Sequence, residues 1–334
     1  MRNARLSLAL ETGALVLPEG RIAILHPLAG DDFSDLPKDR VQIVQGNWPD
    51  HDAFRRAGYD TTVAPDGVFA TALVCLPRAK EQARALIAQA VALVGPAGLV
   101  LVDGQKTEGV ESLLRDCRAR VRVGDPVIKA HGKLFWFRAE PVFDDWAALA
   151  APGQIEGGFH TAPGVFSADG IDAGSALLAA ALPAKLGGKV ADLGAGWGYL
   201  SRAILTREGV KALHLVEADH AALNLARANI TDERAQFHWA DATQWKAPQK
   251  LETVVMNPPF HSGRTADPAL GARFIRAAGA LLVPSGVLWM VANRHLPYER
   301  VLAEAFREVE EVAGTGGFKV YRASRPAQPD RPAR

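Results

Sequence analysis

Cysteine is scarce: the 334 residues contain two, Cys75 and Cys117. Two thiols cannot build a disulfide framework and their separation fits no zinc spacing, so a reducing cytoplasm is the expected compartment. The nine histidines nowhere take the H-x-x-x-H spacing of a helical ligand pair, and no metal is expected. No Ser-His-Asp arrangement and no glycine-rich loop ending in Lys-Ser or Lys-Thr is present. Long apolar runs are missing too. The longest apolar region, Ala85–Val102, is broken by Gln89, Gly95, Pro96 and Gly98, so no membrane span is expected. The run Leu6–Leu10 after Arg2 and Arg5 stops at Glu11, too short for a secretory signal. A net charge of +1 excludes a strongly basic nucleic-acid coat protein but leaves room for a local basic face.

What is present is an ordinary globular composition, 48% hydrophobic and 22% charged, with length for about two domains. From Arg21 the chain alternates short apolar runs with helical stretches. Ile22–Leu25, Val41–Val44, Thr71–Pro77, Leu99–Asp103 and Lys133–Glu140 read as strands, Lys80–Val94 and Val110–Asp116 as helices. An Ala/Gly/Pro-rich connector, Asp144–Gly158, leads to a helix within Pro163–Leu182. The second half repeats the alternation. Strands are expected at His214–Asp219, Gln236–Asp241, Thr253–Phe260, Gly286–Asn293 and Gly317–Ser324. Helices are expected over His220–Asn229, after the N-cap pair Asp267–Pro268, and over Tyr298–Val309. Such alternation predicts an α/β fold with a mostly parallel sheet. The tail Arg325–Arg334, with three prolines, reads as disordered.

The halves resemble each other. ALVGPAGLVLVDG (92–104) lines up with LLVPSGVLWMVAN (281–293), and LFWFRAE (134–140) with FKVYRAS (318–324). The first half has ILHPLAGDDF (24–33) against ADLGAGWGYL (191–200), and CLPR (75–78) against NPPF (257–260). This pattern predicts a tandem duplication whose first copy has lost its chemistry.

The chemistry concentrates in KVADLGAGWGYLS, Lys189–Ser201. An apolar run ends in Asp192, and Gly194, Gly196 and Gly198 turn the chain into a helix, the nucleotide-binding corner of such sheets. Tyr199 stands where a dinucleotide fingerprint wants Gly or Ala, which argues against NAD. The acid two residues before the first glycine argues for S-adenosylmethionine, whose motif is D-x-G-x-G-x-G. Asp192 is then expected to hold the glycine turn or the cofactor's methionine end. Glu217, ending the next strand, is placed to accept from both ribose hydroxyls, whereas Asp219 fits a helix cap. Asp241, after the third strand, is placed to accept from the adenine amine, with a solvated loop acid as the competing reading.

Asn257-Pro258-Pro259-Phe260 closes another strand, at the end where such sheets bind ligands. The prolines carry no N–H, so the loop offers acceptors. The Asn257 side-chain oxygen and the Pro258 carbonyl can take both hydrogens of an exocyclic amine, and Phe260 can stack on its base. A plain Asn-Pro turn is the competing reading. His261 beside it reads as a wall residue.

DLGAGWG, NPPFH, PGVFSADGIDAGSALL and ANRHLPYERVLAEAFREVEEVAGTGGFKVYRA together resemble the bacterial 16S ribosomal RNA guanine-N2 methyltransferases. The resemblance covers Pro163–Ala323 and extends more faintly over Arg21–Glu140. It implies two tandem Rossmann-like class I methyltransferase domains, each a mostly parallel seven-stranded sheet flanked by helices. Residues 1–145 would be the degenerate copy that helps recognise RNA, 146–324 the catalytic copy and 325–334 the tail. It implies that Asp192, Gly194, Gly196, Gly198, Glu217 and Asp241 hold S-adenosylmethionine, and that Asn257, Pro258 and Phe260 hold a guanine amine. The chain departs from the family pattern with Ala195 where Cys is frequent and Trp197 where a small residue is usual. Trp197 would either narrow the methionine pocket or cover the sheet. The expected partner is ribosomal RNA or the small subunit, acted on by a monomer, since two fused domains can bury what a dimer would.

The basic set Arg115, Arg118, Arg120 and Arg122 is a candidate phosphate-facing row, the last three sharing one side of a strand. Three rivals stay open. One is the same chemistry on large-subunit guanine, DNA adenine or a release-factor glutamine, the last normally with Tyr where Phe260 stands. The others are a non-catalytic RNA-binding assembly factor and an NAD-dependent dehydrogenase.

Overall fold

Runs of branched apolar residues that face helices on both sides become central parallel strands, and IAIL, VQIV and TALVC are buried at every position. The computed structural model describes residues 2–259, 261–262, 265–266 and 268–327. The chain divides into two units, Met1–Gly153 with Ala162–Gly164 and Gln154–Thr161 with Val165–Arg334.

The first unit contains α1 (Asn3–Glu11), β1 (Ile22–Leu25), β2 (Val41–Val44), α2 (Trp48–Arg56), β3 (Asp60–Thr62), β4 (Thr71–Cys75) and α3 (Lys80–Val94). It continues with β5 (Leu99–Gln105), α4 (Val110–Arg118), β6 (Val127–Lys129), β7 (Gly132–Arg138) and the short α5 (Asp144–Ala147). Its sheet order is β3-β2-β1-β4-β5-β7-β6, with β7 antiparallel to both neighbours. Leu6, Ile24, Ile43 and Phe54 pack on one face, Val74, Ile87, Val102 and Leu113 on the other. Each such fully buried aliphatic contributes about 1.5–3 kcal/mol.

A ribbon of β8 (Gly153–Ile155) and β9 (Phe159–Thr161) precedes α6 (Ala173–Ala181). The second unit then runs β10 (Lys189–Leu193), α7 (Tyr199–Leu205), β11 (Ala212–Glu217), α8 (His220–Asn229), β12 (Ala235–Trp239) and β13 (Leu251–Met256). The pair β14 (His261–Ser262) and β15 (Thr265–Ala266) follows, then α9 (Pro268–Leu281), β16 (Leu282–Asn293), α10 (Glu299–Ala305), β17 (Phe306–Gly314) and β18 (Phe318–Pro326). The sheet order β12-β11-β10-β13-β16-β18-β17 repeats that of the first unit position for position, as duplication predicts.

Strand register gives the residue equivalences. Leu25 pairs with Val44 and Val74, as Leu193 pairs with Val216 and Met256. His26 therefore matches Gly194. Both take positive φ, 60° and 76°, and both donate their N–H to the facing strand, to Val44 and Val216. Gln45 matches Glu217 and Cys75 matches Asn257. The CLPR–NPPF alignment agrees with this register. The other sequence alignments slip by one or two residues, because Val102 matches Met290 and Phe135 matches Tyr321.

Three expectations change. The helix expected over Tyr298–Val309 ends at Ala305, because Phe306–Gly314 pairs along β18 as the sheet's edge strand. β18 continues through Arg325 and Pro326, since Pro326 lies opposite Phe306, so the tail begins later than residue 325. Arg118, Arg120 and Arg122 do not share a strand: Arg118 ends α4, and the other two follow it in a loop. Arg120 is spent on Asp145, at 2.6 and 2.7 Å, and lies over the Trp146 ring. The expected N-cap Asp267 lies outside the described residues.

Candidate active site

The glycine turn between β10 and α7 is held from three sides. Gly194, Gly196 and Gly198 all take positive φ, at 76°, 55° and 97°. A Cβ on Gly198 would lie 2.8 Å from Ile230, so glycine lets α7 approach α8. Among the described residues, and its two chain neighbours aside, no atom lies within 4 Å of a Cβ built on Gly196, so the backbone there is open to a ligand. Gly196 donates its N–H to Glu217 Oε2 at 2.8 Å, and Asp219 donates to Glu217 Oε1 at 2.8 Å. One carboxylate thus fixes the turn and the start of α8, yet each oxygen keeps a lone pair for a hydroxyl. Burial pushes the Glu217 carboxyl above its ordinary range. Asp219 caps α8 through the Ala221 N–H, as expected.

Asp192 sits beneath the turn with no exposed surface and accepts from Ser201 Oγ at 2.7 Å. Burial raises its carboxyl to about 7. That bond ties β10 to α7 across the turn. Asp241 follows β12 and spends its carboxylate locally, accepting from Thr243 N–H, Thr243 Oγ1 and Gln244 Nε2. One lone pair of its Oδ2 is left for an amine. Trp197 is 3% exposed, clusters with Phe159 and Tyr199, and donates to the Phe166 carbonyl at 2.8 Å. It anchors the segment leading to α6.

Asn257 follows β13 directly. Its Nδ2 donates to Asp172 Oδ2 at 2.9 Å and to Ser175 Oγ at 2.8 Å. Its Oδ1 is buried and has no donor among the described residues. A buried acceptor without a donor costs about 1–3 kcal/mol and calls for an explanation. Pro258 is buried after it and Pro259 exposed, neither with an N–H to offer. Phe260 lies outside the described residues, and the His261 side chain is likewise not described. Asp172 and Ser175 lie within PGVFSADGIDAGSALL, a stretch that carries the family resemblance, but neither stands out there as a site residue; Asp172 is the N-cap of α6, where Ser175 N–H donates to its Oδ2 at 2.7 Å.

The matching corner of the first unit is filled by its own chain. Gln45, in the place of Glu217, accepts from Asn47 N–H and donates its amide to the Pro27 carbonyl. Arg2, ahead of α1, reaches the Leu76 carbonyl, which matches that of Pro258, and bonds Asp103, Glu108 and Asp31. Arg5, fully buried, grips both oxygens of Asp103 at 2.7 Å. Among the described residues no cluster suits a metal ion, and no helix is long and apolar enough to cross a membrane.

Residues 156–322 match the family model "Methyltransferase small domain". The chain is 31% identical over 281 residues to a ribosomal RNA small subunit methyltransferase C of Pseudomonas aeruginosa, covering 81% of this chain and 83% of that one. A protein of the same name from Acinetobacter baylyi is 26% identical over 91% of this chain and 94% of its own. Among solved structures, a T. thermophilus 16S rRNA N2 guanine methyltransferase in complex with AdoMet and guanosine superposes with a TM-score of 0.79. It covers 93% of this chain and 90% of that one at 24% identity, and shows the common fold. By these matches the chain is a member of the ribosomal RNA small subunit methyltransferase C family.

Proposed function

We propose that this protein transfers the methyl group of S-adenosylmethionine to the exocyclic N2 amine of a guanine in 16S ribosomal RNA. The observation that carries the reading is the Asn257 side chain, with its nitrogen engaged and its oxygen buried without a donor. Family membership supports the substrate. Gly194, Gly196 and Gly198 present backbone to the cofactor, Glu217 accepts from its ribose, Asp241 from its adenine amine, and Asp192 braces the turn. The open backbone at Gly196 and the spare lone pairs of Glu217 fit such a ligand. When bound, S-adenosylmethionine supplies a methyl group on a sulfonium sulfur that is its own leaving group.

Asn257 Oδ1 and the Pro258 carbonyl accept the two amine hydrogens. That grip holds the nitrogen and draws its lone pair out of conjugation with the ring, while Phe260 stacks on the base. Position and polarisation are the protein's contribution. A base paired in RNA must be turned out of its helix to reach this loop. Asn257→Ala tests the reading: S-adenosylmethionine binds as before and turnover falls about 100-fold or more. Unchanged turnover contradicts it.

The first unit is the RNA-recognition part in this proposal. Its ligand corner is closed, but a cleft of about 360 Å³ is lined by Val16, Leu99, Trp136, Arg122 and Arg138, among others, with no acid. Among the described residues Arg122 has no ion-pair partner and the Arg138 side chain bonds only the Ala97 carbonyl. A half-buried indole beside two guanidinium groups suits an unpaired nucleotide, by stacking and phosphate pairing.

A further inference from the structure

Asn257 is useful to an amine only in one of its two amide orientations. With Oδ1 toward the substrate it accepts; flipped, it presents two N–H groups to another donor. Sequence spacing says nothing about which orientation is held, and β13 itself does not dictate it.

We infer that Asp172 and Ser175 are positioning residues that lock Asn257 in the accepting orientation. The inference rests on the amine-holding role of Asn257 proposed above. Asp172 is the N-cap of α6, and its Oδ2 accepts from Ser175 N–H at 2.7 Å and from Asn257 Nδ2 at 2.9 Å. Ser175 Oγ takes the other amide hydrogen at 2.8 Å. Both hydrogens of Asn257 are thereby spent inside the protein. A flipped amide would set Oδ1 against the Asp172 carboxylate, acceptor against anion, in a partly buried place where such a clash is poorly screened. The neutral oxygen is kept for the amine, and it is already stripped of water.

Two further residues belong to the same device. Gly174 lies between Asp172 and Ser175 on the first turn of α6. A Cβ there would meet Phe318 at 2.9 Å and Asp172 Oδ2 at 3.1 Å. Glycine thus lets the Phe318 ring, at the start of β18, pack against the carboxylate side of α6. The stretches IDAGS and GFKVYRA, which the cofactor and the amine leave unused, meet here through Gly174 and Phe318.

The test is single-turnover methyl transfer by Asp172→Ala, Ser175→Ala, Asn257→Ala and the two doubles that combine Asn257→Ala with each. Ser175→Ala leaves the cap intact, because the cap uses the backbone N–H of residue 175. Each single change at 172 or 175 is expected to lower the transfer rate about 10- to 100-fold, with S-adenosylmethionine and RNA affinities within about 2-fold of the original. In the Asn257→Ala background neither change lowers the rate further, since nothing is left to position. Asp172→Asn, which keeps a carbonyl oxygen for both donors, recovers most of the rate. Additive losses in the doubles, or a wild-type rate in both singles, overturn the positioning role alone. A wild-type rate in Asn257→Ala overturns the reading of the site and the positioning role with it.

Discussion

Gln45 in the first unit stands at the register position that Glu217 holds in the second, and both bond the backbone N–H two residues ahead, of Asn47 and of Asp219. The amide replaces a second acceptor oxygen with a donor, which the Pro27 carbonyl takes up. One cofactor per chain follows, bound by the second unit. Glu217→Gln converts the live corner toward the closed one and is expected to weaken S-adenosylmethionine about 10- to 100-fold, the worth of a hydrogen bond to a charged acceptor. Calorimetry reads both; two sites per chain, or unaltered affinity in the variant, contradict the assignment.

Asp192 gives the fold an unusual pH signature. Its carboxyl moves from an ordinary 3.8 to about 7 through burial. Between those values the folded chain holds a proton that the unfolded chain has lost. The associated stability is fully present below pH 3.8 and is lost as pH rises through about 7. Asp192→Asn keeps an oxygen for Ser201 and removes the charge, so it should gain stability on the order of a few kcal/mol at pH 8 and almost none at pH 4. Denaturant titrations at the two pH values check this; equal effects at both would refute it.

In the first unit, Asp103 is 2% exposed and holds Arg5 and Arg2 together. Removing it leaves two buried guanidinium groups facing each other. Asp103→Ala should destabilise that unit by about 3–5 kcal/mol, seen as a lowered urea midpoint. A change under about 0.5 kcal/mol would mean that the cluster is solvated.

If the Trp136 cleft carries RNA, Trp136→Ala should weaken RNA binding about 5- to 100-fold through lost stacking. The pair Arg122→Glu and Arg138→Glu should flatten the salt dependence of log affinity by roughly 1.4, two single-strand phosphate contacts. Cofactor affinity stays as it was. An unchanged salt slope removes RNA from this cleft.

Much of the fold was legible because local and tertiary preferences agree. Lys80–Val94 and His220–Asn229 are helices to the residue, each bounded by its own stop or cap signal. They disagree at Phe306, where a Glu-rich run with helical composition is taken as an edge strand by β18. The strands β3 and β6 are three residues each with none buried, and β3 has no apolar residue, so neither stands out. At the site, the glycine turn, Glu217 and Asn257 announce themselves by spacing. Asp172 and Ser175 do not, since they lie more than eighty positions from Asn257 and meet it only through the packing of α6 on the sheet. Trp197 showed its bulk in the sequence but not its direction, which the Phe166 carbonyl fixes.

The most direct measurement is methyl transfer from labelled S-adenosylmethionine to purified small subunits, large subunits and naked 16S RNA, with nucleoside analysis of the product. The expected product is N2-methylguanosine in small-subunit RNA and in no large-subunit RNA. Label confined to large-subunit RNA, or a methylated nucleoside other than N2-methylguanosine, would contradict it.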